Sequence, residues 1–177
     1  WGGLGNHRYP IGFSGDAYTT WEALAFQPYF TATAANVGYG WWSHDIGGHF
    51  GAADPELYAR WVQFGAVSPC LRLHSTKDPL AERRPWAFPE PVYEAAKAAI
   101  QLRYKLFPYI YGAARHLSQD GLSLCYPMYY EYPDCEDAYL ARGQYFFGDQ
   151  LIVAPLVSPI DPKTGLAEID VWIPEGT

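Results

Sequence analysis

Val37-Gly38-Tyr39-Gly40-Trp41-Trp42-Ser43-His44-Asp45 is short, aromatic and uncharged until its last residue, the pattern of a strand buried on both faces. Such strands belong to parallel sheets covered by helices, and a helix start follows at once. Asp54-Pro55-Glu56 supplies a capping carboxylate, a proline at the first helical position and an acid in the first turn. Leu57, Tyr58, Trp61 and Phe64 give that helix an apolar stripe, and it is expected to stop near Gly65. Residues 67–73 then read as another buried strand, ending at His74.

Working outward, residues 1–16 are rich in glycine and aromatics and read as a loop that ends in Ser14-Gly15-Asp16. Thr19 or Thr20 is expected to cap a helix over about 20–34, kinked or divided by Pro28. Downstream, 77–91 reads as a charged, proline-containing loop in which Arg83 and Arg84 are solvated charges. A long helix is expected over 92–117, bent at Pro108. Beyond Leu122, strand-like runs at 123–126, 145–147, 151–156 and 168–173 are separated by Pro, Asp and Gly, which predicts the start of a β domain. The expected division is therefore 1–140 and 141–177.

Composition narrows the function. The 177 residues are 49% apolar and 18% charged, as in globular proteins and unlike disordered ones. A net charge of −7 argues against nucleic acid as a partner. No apolar run approaches the ~18 residues of a membrane span. The 7 Trp, 15 Tyr and 9 Phe are as many as the charged residues, so aromatic rings must fill a core or face a flat, partly apolar ligand. Cys70, Cys125 and Cys135 show no C-x-x-C or metal-ligand spacing; Cys125 and Cys135 are left as a pair that an oxidising compartment could bridge. The chain starts at Trp1 and stops in polar sequence at Thr177, and is expected to be a piece of a longer protein.

Asp16, Asp45 and His74 each follow a strand or strand-like loop, and 29 residues separate each from the next. A βα unit of a (β/α)₈ barrel averages about thirty residues, and catalytic groups in that fold sit at the carboxyl ends of strands. The expected fold is thus α/β, the C-terminal portion of a (β/α)₈ TIM barrel followed by the start of an all-β C-terminal domain. An open doubly wound sheet is the alternative, though no G-x-G-x-x-G or P-loop occurs to support nucleotide binding. Two carboxylates and an imidazole beside aromatic rings suit sugar chemistry, and spacing alone pairs Asp16 with Asp45 for glycosidic cleavage.

His7-Arg8-Tyr9-Pro10-Ile11-Gly12-Phe13-Ser14-Gly15-Asp16, with Trp21 five residues on, resembles the acid/base segment of glycoside hydrolase family 31, the α-glucosidase and α-xylosidase family. Trp42-Ser43-His44-Asp45-Ile46-Gly47-Gly48 is similar to its next signature, and Leu71-Arg72-Leu73-His74 to the segment carrying its substrate-binding histidine. Arg60-Trp61-Val62-Gln63-Phe64-Gly65-Ala66, Leu102-Arg103-Tyr104, Pro108-Tyr109 and Phe147-Gly148-Asp149-Gln150-Leu151-Ile152-Val153-Ala154-Pro155 match in the family's order.

The resemblance implies a retaining mechanism through a covalent glycosyl-enzyme, with Asp16 as general acid/base. Asp45 corresponds to a pocket residue contacting sugar hydroxyls, which replaces the spacing-based pairing, and His74 to the imidazole bonding the glycone. Phe13 stands where the family often has Trp as an apolar wall, and His49 where it often has Phe, leaving His49 without an assigned role. No aromatic-x-Asp-Met-Asn-Glu segment, the family's nucleophile signature, occurs in the sequence. That nucleophile is expected upstream with the rest of the barrel, and the subsite arginine just before Trp1 rather than at Arg8. The expected function is cleavage of terminal α-linked glucosyl residues from oligosaccharides, with the fragment alone inactive. An α-xylosidase, α-galactosidase or transglucosidase is the same-family alternative, and a non-catalytic carbohydrate-binding protein the alternative of another class. No cofactor and no metal is implied, although His44, Asp45, His49 and His74 are metal-competent side chains.

Beside these assignments stand plainer ones. Asp16 could be a helix cap or turn residue, Asp45 a structural carboxylate and His74 a core histidine. Trp41, Trp42 and Trp61 are expected to pack strands against helices.

Overall fold

The computed structural model describes residues 5, 8, 9 and 11–175, so His7 and Pro10 of the first motif lie outside the described residues. Strand β1 (Ile11–Phe13) is followed by helix α1 (Trp21–Thr33), strand β2 (Trp41–Ser43) and helix α2 (Pro55–Ala66). β1 and β2 pair in parallel, with Gly12 opposite Trp42. The loop expected for 1–16 therefore contains a strand. Gly12 makes it possible: a Cβ there would come within 2.4 Å of the Trp42 ring, so the missing side chain leaves room for the indole.

The strand expected over 67–73 is present as two parallel bridges, Ser43 to Cys70 and Ile46 to Leu73, rather than as a continuous ladder. Pro69 has no N–H to give to a ladder. Alternation still holds. Cys70, Arg72 and His74 face one side, while Leu71 and Leu73 pack on the core. That core is Leu24, Ile46, Leu57, Tyr58, Trp61, Val62 and Phe64, with the Tyr58 and Phe88 rings stacked 3.9 Å apart. Trp61 is fully buried, as expected of a packing residue.

The caps follow the sequence. Thr20 accepts from the Ala23 N–H at 3.2 Å, and Asp54 from the Glu56 and Leu57 N–H groups at 3.0 and 3.1 Å. α1 continues unbroken through Pro28. Pro108 does more than bend its helix: the chain forms α3 (Glu90–Lys105) and α4 (Phe107–Asp120), separated at Leu106. A proline in the first turn of α4 lacks an N–H and clashes with the carbonyl four residues back, which ends α3.

Strands β3 (Cys125–Pro127), β4 (Tyr145–Phe147) and β5 (Leu151–Val153) form an antiparallel sheet, with helix α5 (Glu136–Leu140) inserted between β3 and β4. The β4–β5 turn is clamped by Tyr109, whose hydroxyl donates to the Phe147 carbonyl at 2.8 Å and accepts from the Gln150 N–H at 3.0 Å. No strand forms over 168–173. The buried Gln144 amide takes its place, donating to the Trp172 carbonyl and accepting from the Trp172 N–H, both at 2.8 Å. Cys70, Cys125 and Cys135 are free thiols. No helix among the described residues is long and apolar enough to cross a membrane.

Candidate active site

The carboxyl ends of β1, β2 and the bridged segment after α2 converge on one cleft of about 460 Å³, lined by Ile11, Phe13, Asp16, Ser43, Cys70, Arg72 and His74. Three of the four residues singled out from the sequence, Phe13, Asp16 and His74, thus share a wall. Period-two alternation accounts for three of the other four: Ile11 is two residues before Phe13, and Cys70 and Arg72 lie on the His74 face, while Ser43 ends β2. Asp16 is half exposed, so its carboxyl is open to a ligand in the cleft.

Asp45 lies behind this wall with its side chain fully buried. Arg72 pairs with Oδ1, and His49 Nδ1 lies 2.8 Å from Oδ2. The carboxylate therefore holds two cationic or donor side chains. Arg72 carries the contact forward, because its guanidinium sits 4.9 Å over the centre of the Phe13 ring. In the sequence Arg72 stands only within a matched segment; its position two residues before His74 is the signal for its place on the cleft.

His49 is brought between the two carboxylates. Its Nε2 is 3.7 Å from Asp16 Oδ2, its ring packs edge-on against Phe50 at 4.6 Å, and the His74 ring lies 5.5 Å away. The loop bearing it is fixed from below by Arg83, which is buried and not a solvated charge. Arg83 donates to the Gly48 carbonyl at 3.0 Å, to the Gly51 carbonyl at 2.9 Å and to Thr19 Oγ1 at 2.8 Å. A buried guanidinium is tolerated because these acceptors satisfy its donors, and burial lowers its pKa. Its neighbour Arg84 is exposed and pairs with Glu82.

His44 is not part of the cleft. It is buried, with Nε2 2.5 Å from Thr31 Oγ1 and Nδ1 without a hydrogen-bond partner among the described residues. Burial alone pushes its pKa down to about 3. Among the described residues, Asp45, His49 and His74 bring three metal-competent atoms within 4.8 Å of one another. Both Asp45 oxygens are already engaged, one by a guanidinium that opposes a cation, so this arrangement is built for hydrogen bonds.

Carboxyl, imidazole and aromatic groups thus line one cleft at the carboxyl ends of a parallel strand pair. Residues 1–113 match the glycosyl hydrolases family 31 TIM-barrel domain, and residues 121–177 match the glycosyl hydrolase family 31 C-terminal domain. The chain belongs to glycoside hydrolase family 31, and its architecture is an arc of the TIM barrel followed by the start of that C-terminal domain. It is 35% identical over 155 residues to an α-xylosidase of Emericella nidulans, covering 88% of this chain and 20% of that protein. It is 32% identical over 170 residues to neutral α-glucosidase C of Mus musculus, covering 96% and 18%. A cycloalternan-forming enzyme from Listeria monocytogenes, solved with a pentasaccharide substrate, superposes with a TM-score of 0.85 at 32% identity, covering 94% of this chain and 16% of that one. The chain spans a fifth or less of the length of these relatives.

Proposed function

We propose that the protein carrying this chain is a retaining α-glycoside hydrolase that removes terminal α-linked glucosyl residues from oligosaccharides, with Asp16 as general acid/base. The observation that carries this reading is the convergence on one cleft of Phe13 and Asp16, at the end of β1, with His74, at the end of the bridged segment after α2. Asp16 protonates the leaving oxygen while a carboxylate supplied by chain outside these 177 residues attacks the anomeric carbon. Asp16 then takes the proton of the water that frees the sugar. Phe13 offers an apolar wall to the sugar ring, His74 a hydrogen bond to a hydroxyl, and Asp45 fixes Arg72 at the back of the cleft.

Asp16→Asn tests the assignment in the full-length enzyme. Turnover of disaccharides, whose leaving oxygen needs a proton, should fall by about 10²–10⁴-fold, while an activated aryl α-glycoside still releases its aryl group. Unchanged disaccharide turnover refutes the role of Asp16. The 35% identity to an α-xylosidase favours a second specificity. Comparing aryl α-glucoside with aryl α-xyloside separates the two, and binding without turnover of either identifies the non-catalytic alternative.

A further inference from the structure

His49 has no part in the reaction as proposed, yet it joins the two acidic groups of the site. We propose that His49 is a positioning residue for Asp16: Asp45 fixes its ring through Nδ1, and its Nε2 shares one proton with the Asp16 carboxyl. The inference rests on the acid/base reading of Asp16.

The geometry supplies the argument. Asp45 is buried and ion-paired with Arg72, so its Oδ2 can only accept, and the hydrogen of the 2.8 Å contact sits on His49 Nδ1. That leaves Nε2 as the ring atom turned to Asp16, 3.7 Å from its Oδ2. Hydrogen bonds of this kind are often long without substrate and tighten when it binds. The ring is oriented by its Nδ1 contact with Asp45 and by packing against Phe50, and its backbone is pinned, the N–H to the Ala17 carbonyl at 2.7 Å and the carbonyl to the Thr76 N–H at 3.0 Å. The charged and titratable groups facing it are Asp16, Asp45 and His74, with Arg72 behind Asp45.

The proton balance is simple. The shared proton passes from Asp16 to the leaving oxygen as the glycosidic bond breaks. When water attacks the anomeric carbon of the glycosyl-enzyme, its proton returns to the Asp16–His49 pair. Asp16, half exposed, turns about its Cβ–Cγ bond between ring and cleft.

The test compares His49→Phe, which keeps a ring against Phe50, and His49→Gln, whose amide oxygen reaches the Nε2 position, in the full-length enzyme. For His49→Phe, kcat/KM on a disaccharide should fall by roughly ten- to a hundredfold, with little change on an activated aryl glycoside. His49→Gln should recover part of the loss. Equal losses on both substrates, no loss on either, or a Gln variant no better than Phe overturn the proposal. If His49→Phe fails to fold, the His49→Gln variant decides alone: a loss confined to the disaccharide supports the proposal, and any other pattern overturns it. Asp16→Asn is run in parallel. If it spares disaccharide turnover, the acid/base reading fails; if it behaves as an acid/base variant while the His49 variants are silent, only the inference fails.

Discussion

His44 makes a pH-dependent contribution to stability whose size follows from its burial. In the folded chain its pKa falls from 6.5 to about 3, because a charged imidazole would sit among Phe64, Thr31 and the strand backbone without water. In the unfolded chain it titrates near 6.5. A depressed histidine pKa means that the unfolded state binds a proton the folded state refuses. The full contribution is therefore present above pH 6.5 and is lost as pH falls toward 3. At about pH 5 the loss is about 2 kcal/mol, and across the whole window about 5 kcal/mol. His44→Gln removes the titration while its amide still reaches Thr31. Urea unfolding should be followed at the peptides of α1 and β2 by hydrogen exchange and mass spectrometry, for both proteins at about pH 8 and about pH 5. The constant cost of losing the ring cancels between the two pH values. The gap between wild type and variant should then shrink by about 2 kcal/mol on acidification. A gap that stays the same, or a C2-hydrogen exchange midpoint for His44 near 6.5, refutes the reasoning.

Gly12→Ala should cost about 1–3 kcal/mol, because the new methyl meets Trp42, itself held by Phe30 and Tyr39; a lowered Tm checks it. Asp54→Ala should cost about 1 kcal/mol, read from urea unfolding, by freeing the first N–H groups of α2. Arg83→Met should leave the Gly48 and Gly51 carbonyls without this donor, destabilise by about 2–4 kcal/mol and speed amide exchange across 47–51. An unchanged exchange rate there would show that Arg83 does not hold the His49 loop.

The parallel units around β2 and α2 were legible because each signal is local: a two-face buried strand, a proline after a capping acid, a reactive residue at the strand end. What stayed hidden depends on contacts far apart in sequence. β1 forms because Gly12 leaves space for Trp42, which lies thirty residues on. Arg83 looks like a loop charge until three acceptors from 19, 48 and 51 surround it. The last expected strand is replaced by one side chain, Gln144, bonding both backbone groups of Trp172. In the site, Phe13, Asp16 and His74 could be picked out by spacing and motif. The burial of Asp45 and its double pairing could not, since nothing in its neighbourhood announces Arg72 or His49 as partners.

Azide rescue tests the role of Asp16 most directly. The full-length Asp16→Gly variant is incubated with an activated aryl α-glycoside and azide, and the product is examined by NMR. A retaining enzyme lacking its acid/base lets azide enter where Asp16 would have activated water, so recovered turnover should yield the α-glycosyl azide. No recovery, or the β-glycosyl azide, contradicts the assignment.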